Sequence, residues 1–187
     1  MEVISGLKVL SVREQLFILH WNNEKKGVKS VYEKTIMLVE DSSDDIVLIK
    51  RAFKKCCIGN KLVVARDGVE ALEYLFGKCE DSGQYKAALP AVVLLDVKMP
   101  RMDGLETLKQ IRSHSRTAHL PVVMLTSSDE ERDKIQSYEL GANSYIRKPV
   151  DFDEFKDVMQ HLGLYWLKMN ELPKQLGGTK WTKKYGY

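Results

Sequence analysis

The chain has 187 residues, 44% hydrophobic and 29% charged, which fits one ordinary globular domain with appendages. Its apolar stretches are too short to span a bilayer, and Glu2, Lys8, Arg13 and Glu14 break up the approach to the apolar patch 16–19, which excludes a signal peptide. The net charge of +3 is unevenly spread: residues 35–162 carry −3 between basic ends, a pattern unlike the single basic face of a nucleic-acid binder.

Three cysteines are an odd count, and the adjacent pair Cys56 and Cys57 suits bridging poorly. All three read as reduced thiols of a cytoplasmic protein.

From Thr35 to Leu162 the pattern alternates strand and helix five times. The apolar run 36–39 reads as a buried strand ending in Glu40 and Asp41. Residues 44–57 follow as a helix, with Ser42 or Ser43 as cap and Ile46, Val47, Ile49, Ala52, Phe53 and Cys56 largely on one face. Residues 62–65 form a second strand and 68–76 a second helix, after which the polar stretch 77–89 reads as a surface insertion. The nearly all-apolar run 92–96 fits a central strand of a parallel sheet. Helix 103–113, strand 122–126, helix 129–140 stopped by Gly141, strand 144–147 and helix 151–162 complete the series.

Five βα units with short connections imply a parallel sheet with helices on both faces. Such sheets put their sites at the carboxyl ends of the strands. Glu40 and Asp41, Asp96, Thr126 and Lys148 all fall at such ends. Three carboxylates and a lysine at one edge repel unless pKa values rise or a cation arrives. An oxygen-only set of this kind suits Mg²⁺. A carboxylate beside the ion can attack phosphorus to give an aspartyl phosphate, with lysine and hydroxyl donors stabilising the transferred oxygens.

These residues resemble the receiver domain of two-component response regulators over about residues 35–162. The acidic pair lies in MLVEDSSDD, Asp96 in VVLLDVKMPRMDG with Pro100 and Gly104 following, Thr126 in PVVMLTSS, and Tyr145 with Lys148–Pro149 in GANSYIRKP. The spacings, 30 residues from Asp96 to Thr126 and 22 from Thr126 to Lys148, are those of the family. The resemblance implies a flavodoxin-like (βα)5 doubly wound parallel sheet with strand order 2-1-3-4-5.

It also implies roles. Asp96 is the phosphoacceptor, served by Lys148 and Thr126. Asp41 and Asp96 bind Mg²⁺ directly, Lys98 through its backbone carbonyl, and Glu40 through water. Thr126 and Tyr145 form the switch, and a cis bond before Pro149 aims the lysine. Tyr145 has a second reading as a packed strand aromatic. Lys98, two residues past the acceptor, either pairs with the phosphoryl group and lengthens the signal or points into solvent. Asp44 and Asp45 serve the helix start, where negative charge favours the macrodipole. The four histidines receive no role.

Residues 1–34 form an extension that matches nothing recognised, and 163–187 begin apolar and end basic, the latter part reading as disordered. Twenty-five residues after Leu162 are too few for a DNA-binding domain, so the expectation is a stand-alone receiver and not an enzyme acting on a substrate. Phe152, Phe155, Tyr165, Trp166 and Leu167 either form an exposed dimer interface or fold back on the core. The segment YWLKMNELP and the long loop before the third strand resemble single-domain regulators of cyanobacterial phytochromes. That implies a histidine kinase partner of phytochrome type, a homodimer, and neither nucleic acid nor membrane as partner. A haloacid-dehalogenase-type phosphatase would need a carboxylate where Lys98 stands. A basic tail that contacted DNA would bind it tightly and with strong salt dependence. A receiver-shaped scaffold without phosphate chemistry would have no use for the intact acidic site.

Overall fold

The computed structural model describes residues 34–77, 83–85 and 87–171. The N-terminal extension before Lys34, Cys79 and the basic tail lie outside the described residues. Strands β1 (Ile36–Val39), β2 (Leu62–Ala65), β3 (Val92–Leu95), β4 (Val122–Thr126) and β5 (Ser144–Arg147) form one parallel sheet in the order β2-β1-β3-β4-β5. Helices α1 (Ser43–Lys55), α2 (Gly68–Phe76), α3 (Gly104–Ser113), α4 (Glu131–Glu139) and α5 (Phe152–Gly163) alternate with them.

The burial of each strand follows from its place in this order. The three inner strands are buried along their whole length, whereas β2 and β5 at the edges are mostly half-buried. An inner strand covered on both faces needs apolar side chains at every position, because successive residues point to opposite sides. Ile36, Leu38, Val92, Leu94, Val123 and Leu125 accordingly enter one core with Ile49 and Phe53 of α1 and Phe155 and Met159 of α5. Their alternates Met37, Val39, Val93, Leu95, Val122 and Met124 enter a second core with Ala71 and Leu75 of α2 and Leu108 and Ile111 of α3.

The helix starts are set by short polar caps. Ser42, Asp67, Asp103 and Asp151 each accept a backbone N–H of the first turn, satisfying donors that have no partner inside the helix. Helix α4 lacks such a side-chain cap and begins at Glu131, two residues after the expected start; of its residues only Ser137 is buried. The predicted insertion before β3 is held by Arg116, whose guanidinium donates to the carbonyls of Leu75 and Ala87 and lies 3.7 Å from the Tyr85 ring centre.

Helix α5 runs without a break into a π-helical turn, Leu164–Met169, so the segment after residue 162 extends the last helix. Phe155 is 1% exposed and Leu167 2% exposed, and both belong to the α1/α5 core. Phe152 and Trp166 are half-buried against the same core, with Arg51 over the Phe152 ring at 4.8 Å. Of the five candidate interface residues only Tyr165 is substantially exposed, at 50%. Burying these side chains on their own domain removes more apolar surface from water than leaving them on an open face. Leu167→Ala should therefore lower stability by about 2–5 kcal/mol in urea unfolding, the range for a core leucine. A residue reserved for an interface would lose far less.

Candidate functional site

All five strands point their carboxyl ends the same way, so their last residues and the loops that follow share one edge. At that edge one carboxylate oxygen each from Glu40, Asp41 and Asp96 lie within 4.8 Å of one another. Glu40 is 2% exposed and Asp96 7% exposed, while Asp41 opens to solvent. The backbone places Asp96 tightly. Its N–H donates to Val39 O at 3.0 Å, and the Gly104 N–H donates to Val97 O at 2.8 Å. A Cβ at Gly104 would stand 2.0 Å from the Asp96 carbonyl oxygen, so only glycine lets the loop close on the end of β3.

Lys148 enters the cluster from the end of β5. Its backbone N–H donates to Thr126 O at 2.8 Å. Its ammonium Nζ donates to Glu40 Oε2 at 2.6 Å and to Asp45 Oδ2 at 2.6 Å, and stands 3.4 Å from Asp96 Oδ1. Burial disfavours this charge, but the hydrogen bonds it donates to Asp45 and Glu40 and the fields of Asp96 and Glu40 outweigh it and hold the ammonium above the ordinary lysine value. Burial, helped by the nearby charges of Asp96 and Asp45, holds the Glu40 carboxyl above its usual range despite the opposing pull of Lys148. Three carboxylates meet this one ammonium and Asp41 joins two of them, so negative charge outnumbers positive in the pocket.

The lysine reaches this position through a trans peptide bond, for no described bond is cis. That corrects the expected cis bond before Pro149; the flexible four-carbon stem delivers the ammonium without it.

Thr126 is 1% exposed, and its Oγ1 accepts from the Ser128 N–H at 3.1 Å. The Tyr145 hydroxyl donates to Ser128 O at 3.1 Å, and Ser128 Oγ donates to Asp133 Oδ2 at 2.7 Å. Ser128 therefore links both expected switch residues to α4. The Lys98 N–H donates to Asp96 Oδ2 at 3.1 Å, which sets its peptide against the acceptor. Its ammonium, on a mostly exposed side chain, pairs with Glu130 instead of facing the pocket. In this state the side chain lies at the surface, in an ion pair between the loops after β3 and β4.

Two residues at the site escaped the sequence reading. Asp45 was assigned to the helix start, yet its carboxylate faces Lys148. Arg66 donates to Asp41 O at 3.1 Å and Ser43 Oγ at 3.2 Å, bracing the loop after β1. The acidic run at 40–45 was the available signal for Asp45; Arg66 carried none.

This fold and this edge define a class. Residues 36–160 match the response regulator receiver domain, and the chain belongs to that family. It is 36% identical over 141 residues to the response regulator Rcp1 of Synechocystis sp., spanning 75% of this chain and 93% of that one. Among solved structures, the phosphorylated cyanobacterial phytochrome response regulator RcpA is 35% identical with a TM-score of 0.69, covering 76% of this chain and 99% of RcpA. The bacteriophytochrome response regulator AtBRR is 45% identical with a TM-score of 0.58, over 76% of this chain and 99% of that one. The protein is thus a response regulator receiver that signals by phosphorylation, of the kind that takes phosphoryl groups from histidine kinases. Receivers bind a divalent metal, and a Mn²⁺-bound structure of Rcp1 is among the similar structures. The all-oxygen, negatively charged cluster of Glu40, Asp41 and Asp96 fits a hard divalent cation. No described helix is long and apolar enough to cross a membrane.

Metal and protons compete for these carboxylates. Because the Glu40 carboxyl sits above its ordinary value of 4.5, it takes up a proton at a higher pH than a free glutamate does. Calorimetric affinity for a divalent ion should accordingly begin to weaken on acidification before pH reaches the ordinary glutamate range. Glu40→Gln should flatten that part of the pH dependence.

Proposed function

We propose that Asp96 is the phosphoacceptor and that Mg²⁺ is the physiological ion. The observation that carries this reading is the convergence of Glu40, Asp41, Asp96 and Lys148 at the carboxyl edge of the sheet. Asp41 and Asp96 would hold the ion directly, with the Lys98 carbonyl and, through water, Glu40. Bound there, the ion neutralises the pocket and stabilises charge on the phosphoryl oxygens.

The remaining chemistry belongs to the chain. A carboxylate oxygen of Asp96 attacks phosphorus in line, the P–N bond of the kinase phosphohistidine breaks, and the imidazole leaves with the electron pair. Lys148, whose ammonium stands 3.4 Å from Asp96, neutralises the new acyl phosphate, and the Thr126 hydroxyl donates to one of its oxygens. Drawing Thr126 towards the phosphoryl group pulls on Ser128, which the Tyr145 hydroxyl also holds. Release of that second bond lets Tyr145 turn inward and moves the start of α4. The local charge event thus selects between two loop arrangements.

The phytochrome response regulators among the relatives support a phytochrome-like histidine kinase as donor. The reduced state of Cys56 and Cys57, both free thiols, supports a cytoplasmic setting. For a homodimer, the exposed apolar side chains Tyr165 and Met169 near the end of the described chain supply a surface, at 50% and 63% exposure.

Incubation with Mg²⁺ and acetyl phosphate, followed by intact mass and sizing, tests the reading. The expected result is a gain of one phosphoryl group that is absent in Asp96→Asn and slowed at least about tenfold in Lys148→Ala, the scale of one lost charge-stabilising donor. An unmodified wild-type protein would overturn it. Tyr165→Ser should shift any dimer towards monomer.

A further inference from the structure

The structure divides the four carboxylates of the pocket into two groups. Glu40, Asp41 and Asp96 each place an oxygen within 4.8 Å of the others and form the cation cluster. Asp45 stands outside that group, on the first turn of α1, and its carboxylate contacts Lys148 instead. The contact is as short as that of Glu40, 2.6 Å in each case, whereas Asp96 is 3.4 Å away.

The backbone fixes this arrangement. The Ser42 N–H donates to Glu40 Oε1 at 3.2 Å, and Ser42 Oγ accepts from the Asp45 N–H at 3.2 Å. One serine thus sets the spacing between the two carboxylates that hold the ammonium. Lys148 has only 10% of its side chain exposed and must find carboxylate partners inside the pocket. Without Asp45, its remaining partners would be Glu40 and Asp96, both of them needed by a cation.

The geometry points to Asp45 as a positioning residue that keeps Lys148, already in contact with Glu40, from closing on Asp96 and competing there with the divalent ion. Given a carboxylate of its own, the ammonium stays within reach of the acceptor without occupying it. Asp45 also leaves the lysine free to be drawn forward when a phosphoryl group adds negative charge at Asp96. This role rests on the proposed phosphoacceptor site, but it concerns metal binding before any phosphoryl transfer.

A double-mutant cycle on Mg²⁺ affinity tests it in the full-length protein. Affinity is measured by calorimetry, with Mn²⁺ as a second probe, in wild type, Asp45→Asn, Lys148→Met and the double variant. Asp45→Asn keeps the shape and the backbone cap, and should weaken Mg²⁺ binding at least about fivefold when Lys148 is present. In the Lys148→Met background the same change should alter affinity less than about twofold. Equal losses in both backgrounds would overturn the assignment, because Asp45 would then act on the ion directly. No loss in either background would overturn it equally. Asp45→Ser supplies the same comparison should the asparagine variant not fold. Labelling of wild type by acetyl phosphate separates the two readings: its failure sinks the phosphoacceptor, while the metal cycle still decides the role of Asp45.

Discussion

The structure is organised around concentrated negative charge that the sheet edge forces together. Glu40 and Asp96 are almost fully buried, with carboxylate oxygens within 4.8 Å of each other. At an effective dielectric of about 20, the Coulomb repulsion of such a pair is on the order of 3 kcal/mol. That is a large part of a typical folding free energy of about 5–15 kcal/mol. A fold keeps such a pair only where something opposes it. Lys148 does so permanently, and a divalent ion can do so reversibly. Burial, with the fields of Asp96 and Asp45 added, holds the Glu40 carboxyl above its ordinary value despite the lysine. The residual charge makes the site receptive to a cation, and through the cation to a phosphoryl group.

Much of this was legible because the sheet translates chain position into place. Runs such as VVLL and VVMLT are apolar at nearly every residue, so they had to be inner strands covered on both faces. Once five such strands run parallel, the residue after each one is assigned to the same edge without further knowledge. Asp41, Asp96, Thr126 and Lys148 were found in that way. Helix starts were legible where Ser or Asp capped them and misplaced where no cap exists. At α4 the acidic run 129–131 offered several equivalent starting points, and nothing in the side chains chose among them.

What the sequence did not carry was the identity of the partner across space. Asp45 occupies a helix first turn, where an acidic residue is already explained by the macrodipole. Only the placement of β5 beside β4 brings Lys148 opposite it. The same holds for Lys98, whose pairing with Glu130 depends on how the loops after β3 and β4 face each other. The apolar residues after α5 are equally dense whether they cover their own core or a neighbour. In the structure Leu167, within the π-helical turn, joins the core between α1 and α5, and Trp166 packs half-buried against it.

The distribution of packing around the site also determines where a change there can travel. Helices α1 and α5 are anchored by large apolar side chains such as Phe53, Phe155 and Met159, and shifting them would disturb a close-packed core. Helix α4 is different, since its sole buried residue is Ser137 and both Ile135 and Tyr138 stand half exposed. Its connection to the pocket runs through Ser128, which holds Thr126, Tyr145 and Asp133 by hydrogen bonds instead of packing. Exchanging hydrogen bonds costs about 1 kcal/mol each, less than opening a core. A movement that begins at Thr126 therefore meets least resistance towards α4 and β5.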